Sequence, residues 1–171
     1  SIPIGIEATD DMLKAGNVDL MMASPLCPGK YVTIISGDVG AVQASIRNGE
    51  HIGGIYVLES HVIPNIHPDV LPAMLGAGEI EDVKALGIVE TINAISSIIV
   101  GDVAVKAANV ELIEIRIARG LGGKGFVLLT GEVASVKQAI KAAEADMRDL
   151  GVITSYSVIA SPHKDIKKVI F

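Results

Sequence analysis

The chain has 171 residues, half of them apolar, only 3% aromatic, and a net charge of −6. Nucleic acid is not an expected partner, because a phosphate backbone needs clustered Lys and Arg, and only Lys164, Lys167 and Lys168 lie close together, as a solvated helix face carries them. A membrane is not expected either: no apolar run reaches the roughly 18 residues that span a bilayer, and the N-terminus has no basic-then-apolar leader pattern. Asp102, Lys106, Glu111 and Glu114 interrupt the most hydrophobic region. Aliphatic content this high points to an oligomer, since monomers rarely expose large apolar patches. The one cysteine, Cys27, excludes an intrachain disulfide and suits a reducing cytoplasm.

In chain order, a helix is predicted from about Ile4 to Ala15, and strands and helices then alternate to a short helix after Pro68. The stretch 76–83, with two glycines and three acidic residues, reads as an exposed linker. Ala85 to Thr91 is a short apolar run with the composition of a buried strand. A helix follows from about Ala94 to Ala108, and Val110 to Ile117 alternates imperfectly, as a half-buried strand does. Gly120-Leu121-Gly122-Gly123 is a loop, and Gly125 to Thr130 returns as a strand. Glu132 opens a helix to about Leu150, its carboxylate favourable at the positive end of the helix dipole. Val152 to Ile159 is a strand, and a short helix follows Pro162.

The two halves are copies of one unit, a pattern to be sought before any motif. Lys14-Ala15-Gly16-Asn17-Val18-Asp19-Leu20 matches Lys106-Ala107-Ala108-Asn109-Val110-Glu111-Leu112, and Gly29-Lys30 matches Gly123-Lys124. Ile34-Ile35-Ser36-Gly37-Asp38-Val39 matches Leu128-Leu129-Thr130-Gly131-Glu132-Val133. Val62-Ile63 and His67-Pro68-Asp69 match Val158-Ile159 and His163-Lys164-Asp165 in the same order. The first copy has no counterpart of the strand Ala85 to Thr91, so a longer parent chain is expected to carry one upstream. The fold class is α/β (α+β), with two tandem domains, each a small sheet flanked by helices. Their expected bounds are 1–75 and 84–171.

These blocks resemble the bacterial microcompartment shell family. Leu86-Gly87-Ile88-Val89-Glu90-Thr91, Lys106-Ala107-Ala108-Asn109-Val110 and Gly131-Glu132-Val133-Ala134-Ser135-Val136 carry the likeness, and two copies in one chain mark its tandem-domain subgroup. Ala23-Ser24-Pro25-Leu26-Cys27-Pro28-Gly29-Lys30, Gly37-Asp38-Val39-Gly40-Ala41-Val42 and Val62-Ile63-Pro64-Asn65-Ile66-His67 are similar to the iron–sulfur members of propanediol-utilisation shells. The resemblance implies a homotrimer forming a pseudohexagonal disc with a central pore, tiled with other shell proteins around enclosed enzymes. It implies that the loops Pro25, Leu26, Cys27, Pro28, Gly29 and Gly120, Leu121, Gly122, Gly123 line the pore. It also implies that Lys14 and Lys106 meet neighbouring tiles, although each also suits a helix C-terminus, where a cation offsets the dipole. Many members carry an arginine where this chain has Asn65 and Ser161.

A lone cysteine is usually a small buried hydrophobe, but Cys27 lies between Pro25 and Pro28-Gly29, outside any apolar periodicity. One thiolate cannot hold a cluster, whereas three copies about a threefold axis supply three sulfur ligands of the kind that iron–sulfur clusters use. The resemblance therefore implies a 4Fe-4S cluster shared by three subunits, which could carry electrons across the shell to enclosed redox enzymes. Three thiolates and a water would also suit tetrahedral zinc. A metabolite-conducting pore without a cluster and a soluble iron–sulfur carrier are the alternative functions. No catalytic residues are expected. His67 with Asp69 and His163 with Asp165 recur at matching helix starts, where Asp and Pro are ordinary initiation chemistry. Gly120-Leu121-Gly122-Gly123 has the wrong spacing for a dinucleotide-binding turn.

Overall fold

A computed structural model describes residues 1–77, 80, 82–117 and 120–170 of the chain. They fall into two compact units, Ser1–Pro64 and Asn65–Phe171. Of the expected linker, Gly78, Glu79 and Glu81 lie outside the described residues.

The first unit contains α1 (Ile2–Ala15), β1 (Val18–Leu26), β2 (Lys30–Gly37) and α2 (Val39–Gly53), followed by a single 3-10 turn, Gly54–Tyr56. Pro3 sits in the first turn of α1, where its missing N–H costs no helical bond. β1 and β2 form an antiparallel hairpin, and α1 packs against α2 and both strands. Met12 and Leu26 are buried, and Thr9 Oγ1 meets Thr33 Oγ1 at 2.6 Å, tying helix to strand.

The second unit begins at Asn65, whose φ of +52° lies in the left-handed region that Asn tolerates better than most residues. Its elements are α3 (Val70–Leu75), β3 (Ala85–Thr91), α4 (Ala94–Ala107), β4 (Val110–Ile117), β5 (Gly125–Gly131), α5 (Val133–Met147), β6 (Ile153–Ile159) and α6 (Lys164–Ile170). The antiparallel sheet runs β4-β5-β3-β6. α4 and α5 cover one face, over a core that includes Val89, Val127, Leu129, Ile115, Val100, Val136 and Ile140. α4 has few polar positions on any side, which fits a helix buried nearly all round. On another face Val83, Leu86 and Ile113 form a smaller cluster with Ile80, Ile88, Leu128 and Ile170. Gly87 lets α5 approach β3, because a Cβ there would lie 2.7 Å from Leu129 Cδ1 and 2.8 Å from Val136 Cγ1.

The duplication is visible in the ladders. Register slips between Leu20 and Met22 in β1 and at the matching place, between Leu112 and Glu114, in β4. That bulge explains the imperfect alternation of β4: Leu112 and Ile113 are adjacent yet both buried.

The copies differ at the centre of the sheet. β3 pairs with both β5 and β6, and the first unit has no equivalent strand among its described residues. Residues 57–63, which match β6 in sequence, accordingly form no strand. Leu58 there is 72% exposed, as an apolar strand candidate without a ladder partner would be.

Candidate functional site

Cys27 stands at the tip of the β1–β2 hairpin. The ladder closes at Leu26 opposite Lys30, leaving a three-residue turn, Cys27-Pro28-Gly29. The turn has a cis Cys27–Pro28 peptide, and Gly29 takes φ +73°, a value natural to glycine. Cys27 is a free, exposed thiol. The loop is shorter than the sequence suggested: Pro25 pairs with Tyr31 within the strand, and Leu26 is buried. Among the described residues no group of three or more His, Cys, Asp or Glu could hold a metal, so no set of ligands within one chain completes a site around Cys27. The residue therefore fits a cluster only as one ligand of several drawn from different chains.

The matching hairpin in the second unit connects β4 to β5. Gly120, Gly122 and Gly123 take φ of +72°, +62° and +95°, and Lys124 N–H donates to the Leu121 carbonyl at 3.2 Å. Ala118 and Arg119, which lead into this loop, lie outside the described residues. The loop presents backbone where the first hairpin presents a thiol.

Lys14 and Lys106 occupy the last turns of α1 and α4, and each pairs with an aspartate one turn earlier. The hydrogen bond that Lys14 Nζ donates to Asp10, and then the charge of that carboxylate, raise the Lys14 pKa above the usual lysine value. Lys106 Nζ lies 2.6 Å from Asp102 Oδ2. The two aspartates differ: Asp10 is exposed, whereas Asp102 is buried and also accepts the His67 N–H at 2.7 Å. In the sequence Asp102 stands out only as an interruption of an apolar run, and the recurrence of Asp four residues before Lys in both copies is the signal of its pairing.

The two His-Asp pairs serve the backbone. His67 Nδ1 accepts the Asp69 N–H at 3.3 Å and His163 Nδ1 the Asp165 N–H at 3.2 Å, closing the turns that lead into α3 and α6. A recess of about 250 Å³ between Asp82, Lys84, Glu111 and Glu132 holds charges that already oppose one another, with Lys84 and Glu132 2.8 Å apart. No helix among the described residues is long and apolar enough to cross a membrane.

Comparisons with known proteins agree with this architecture. The BMC domain model matches residues 1–66 and again 85–162. The bacterial microcompartment shell protein PduT of Citrobacter freundii is 41% identical over 166 residues, 97% of this chain and 90% of that protein. The shell protein PduA of the same organism is 38% identical over 88 residues, 51% of this chain but 91% of that protein. A crystal structure of a microcompartment protein from Desulfitobacterium hafniense DCB superposes with a TM-score of 0.93 at 47% identity, covering 98% of this chain and 93% of that one. With two matches in sequence, one to each half, the chain belongs to the BMC domain family and carries two BMC domains in tandem.

Proposed function

We propose that the chain is a structural shell tile of a bacterial microcompartment and not an enzyme. In this reading three chains form a pseudohexameric disc with a central pore, and the three Cys27 thiols hold a 4Fe-4S cluster there. The observation that carries it is the placement of the chain's one cysteine, exposed at a hairpin tip and in no group of three or more potential metal ligands among the described residues. A thiol so placed can serve a cluster only by meeting its symmetry copies, and thiolates are the usual ligands of such clusters. When bound, the cluster would supply one-electron transfer between the two faces of the shell, serving enclosed redox enzymes. The relatives support the tile role: both PduT and PduA are named as microcompartment shell proteins. Other shell proteins are the expected edge partners, met through the surfaces around Lys14 and Lys106.

The Gly120–Gly123 loop favours a second reading, a metabolite-conducting pore without a cluster. Glycines let backbone approach an axis or a small solute closely.

Anaerobic purification of wild type and Cys27→Ser separates these readings. Iron and acid-labile sulfide in the wild type, an EPR signal on reduction, and the loss of all three in a variant that stays trimeric are the expected results. Equal, negligible iron in both proteins would refute the cluster and leave the pore. Sheet or tube formation by the purified protein distinguishes a tile from a soluble iron–sulfur carrier.

A further inference from the structure

The open glycines of the β4–β5 turn are not held by packing: a Cβ at Gly120 or Gly122 would meet no atom of the described residues within 4 Å. Glycine also has more backbone freedom to lose than any other residue, so such a turn needs something else to select one path. The chain is fixed again at Gly125. A Cβ there would lie 2.6 Å from Ser97 Oγ, its carbonyl accepts Thr91 Oγ1–H at 3.3 Å, and it pairs in the ladder with Thr91 and Ile117. Lys124 stands between the open turn and this fixed point.

The Lys124 N–H closes the turn by donating to the Leu121 carbonyl at 3.2 Å, and its Nζ donates to Glu90 Oε1 at 2.9 Å. Glu90 opposes Phe126 in the ladder, which puts Lys124 on the diagonal, within reach of a long side chain. The same carboxylate oxygen accepts Thr154 Oγ1–H at 2.5 Å. Thr154 is the extra residue of a bulge, since Ser155 pairs with Glu90 and Ile153 with Thr91. A regular ladder would send its side chain to the face opposite Glu90; the bulge turns the hydroxyl onto the carboxylate instead. Arg116, opposite Phe126 in β4, is engaged by Glu114 at 2.6 Å and lies over the Phe126 ring, 5.0 Å from its centre.

We infer that Glu90 is a positioning residue for the Gly120–Gly123 turn: its carboxylate, aimed by Thr154, clamps Lys124 and keeps the turn in a single conformation. A half-exposed ion pair contributes modestly to the stability of a whole unit, but a turn without packing needs only a small bias to settle on one backbone path. Loss of the clamp frees the turn and leaves the sheet folded, because Gly125 and the ladder beyond it are held independently. The clamp is built within one chain, so it goes beyond the functional readings above and stands or falls apart from them. On the reading in which this turn lines a pore, Glu90 and Lys124 fix the backbone that a solute meets.

Exchanging the two charges tests the clamp. Amide hydrogen exchange of the full chain is followed in the turn, from Leu121 to Lys124, and in the middle of β5, at Val127 and Leu129. Glu90→Lys and Lys124→Glu each bring like charges together and should speed exchange in the turn about fivefold to tenfold, with mid-β5 rates unchanged. Glu90→Gln, which keeps the shape of the side chain and removes its charge, should give about threefold. The double variant Glu90→Lys with Lys124→Glu restores the pair in the reverse sense, and the Thr154 hydroxyl, which accepts as well as donates, still serves it. Its turn amides should return to within about twofold of wild type. Wild-type rates in the turn of all three single variants would overturn the clamp. Single variants that exchange faster with a double variant that does not recover would overturn it too, because the effect would then belong to each residue and not to their pairing. Faster exchange through mid-β5 would also overturn it, since the sheet and not the turn would have been released.

Discussion

Asp102 is a residue whose removal the structure makes costly to the second unit. Its carboxylate is buried, accepts the His67 N–H at 2.7 Å and lies 2.6 Å from Lys106 Nζ. Asp102→Ala takes away both bonds and leaves the His67 N–H and the Lys106 ammonium without their acceptor. Hydrogen bonds to a charged group contribute about 1.5–3 kcal/mol, and breaking a fully buried pair costs about 3–5 kcal/mol. Lys106 is 40% exposed, so solvent recovers part of its loss; the sum is about 3 kcal/mol, at the lower end of the buried range. For a cooperative unit of this size that lowers the melting temperature by roughly 10 °C. Calorimetry gives the shift, and amide hydrogen exchange locates it, with protection falling along β4 and β5. Asp10→Ala, at the matching exposed position, should leave exchange in the second unit unchanged. If Asp102→Ala melts within about 2 °C of wild type, the carboxylate does not hold α3 in place and the reasoning fails.

Two further outcomes follow from the same geometry. Gly87→Val should destabilise the second unit by about 1–3 kcal/mol in chemical denaturation, because its side chain meets buried Leu129 and Val136 within 3 Å. Glu90 joins β3 to β6 through Thr154 and to Lys124, and first the Thr154 and then the Lys124 hydrogen bond lower its pKa below the ordinary 4.5. A carboxyl depressed by folding contributes stability above its unfolded pKa and loses it as pH falls through the folded value. The melting-temperature gap between wild type and Glu90→Gln should therefore hold at neutral pH and shrink below about pH 4.5, and a gap that is constant down to pH 2 would contradict this.

Much of the fold was legible because the chain states it twice. The strand at Ala85–Thr91 and the helix and strand that follow were readable from short apolar runs punctuated by Asn and Gly, and the structure has them as β3, α4 and β4. The bulge in β4 blurred its alternation without hiding it, since only one residue is added to the ladder. Residues 57–63 show the limit. Their apolar composition matches β6, but a strand is a property of a pair, and β3, the partner of β6, has no counterpart among residues 1–64. Pro25 misled for a related reason: proline suggested a loop, yet an edge position in β1 tolerates its missing N–H. The exposure of Cys27 was readable from its flanking prolines. The role of Asp102 was half readable: the recurrence of Asp four residues before Lys gives its Lys106 partner, but the His67 N–H that it also accepts lies 35 residues away.

Duplication in one chain permits what a single-domain ring does not. In a ring of identical domains every loop is the same, and a cysteine in the hairpin would appear as many times as there are domains. Here the two hairpins have diverged, one to Cys27-Pro28-Gly29 and the other to Gly120-Leu121-Gly122-Gly123. On the proposed reading a trimer of tandem chains brings three thiols to its axis and alternates them with three loops that carry no sulfur. That is enough sulfur for three corners of a 4Fe-4S cube, and the intervening glycine-rich loops leave room beside it.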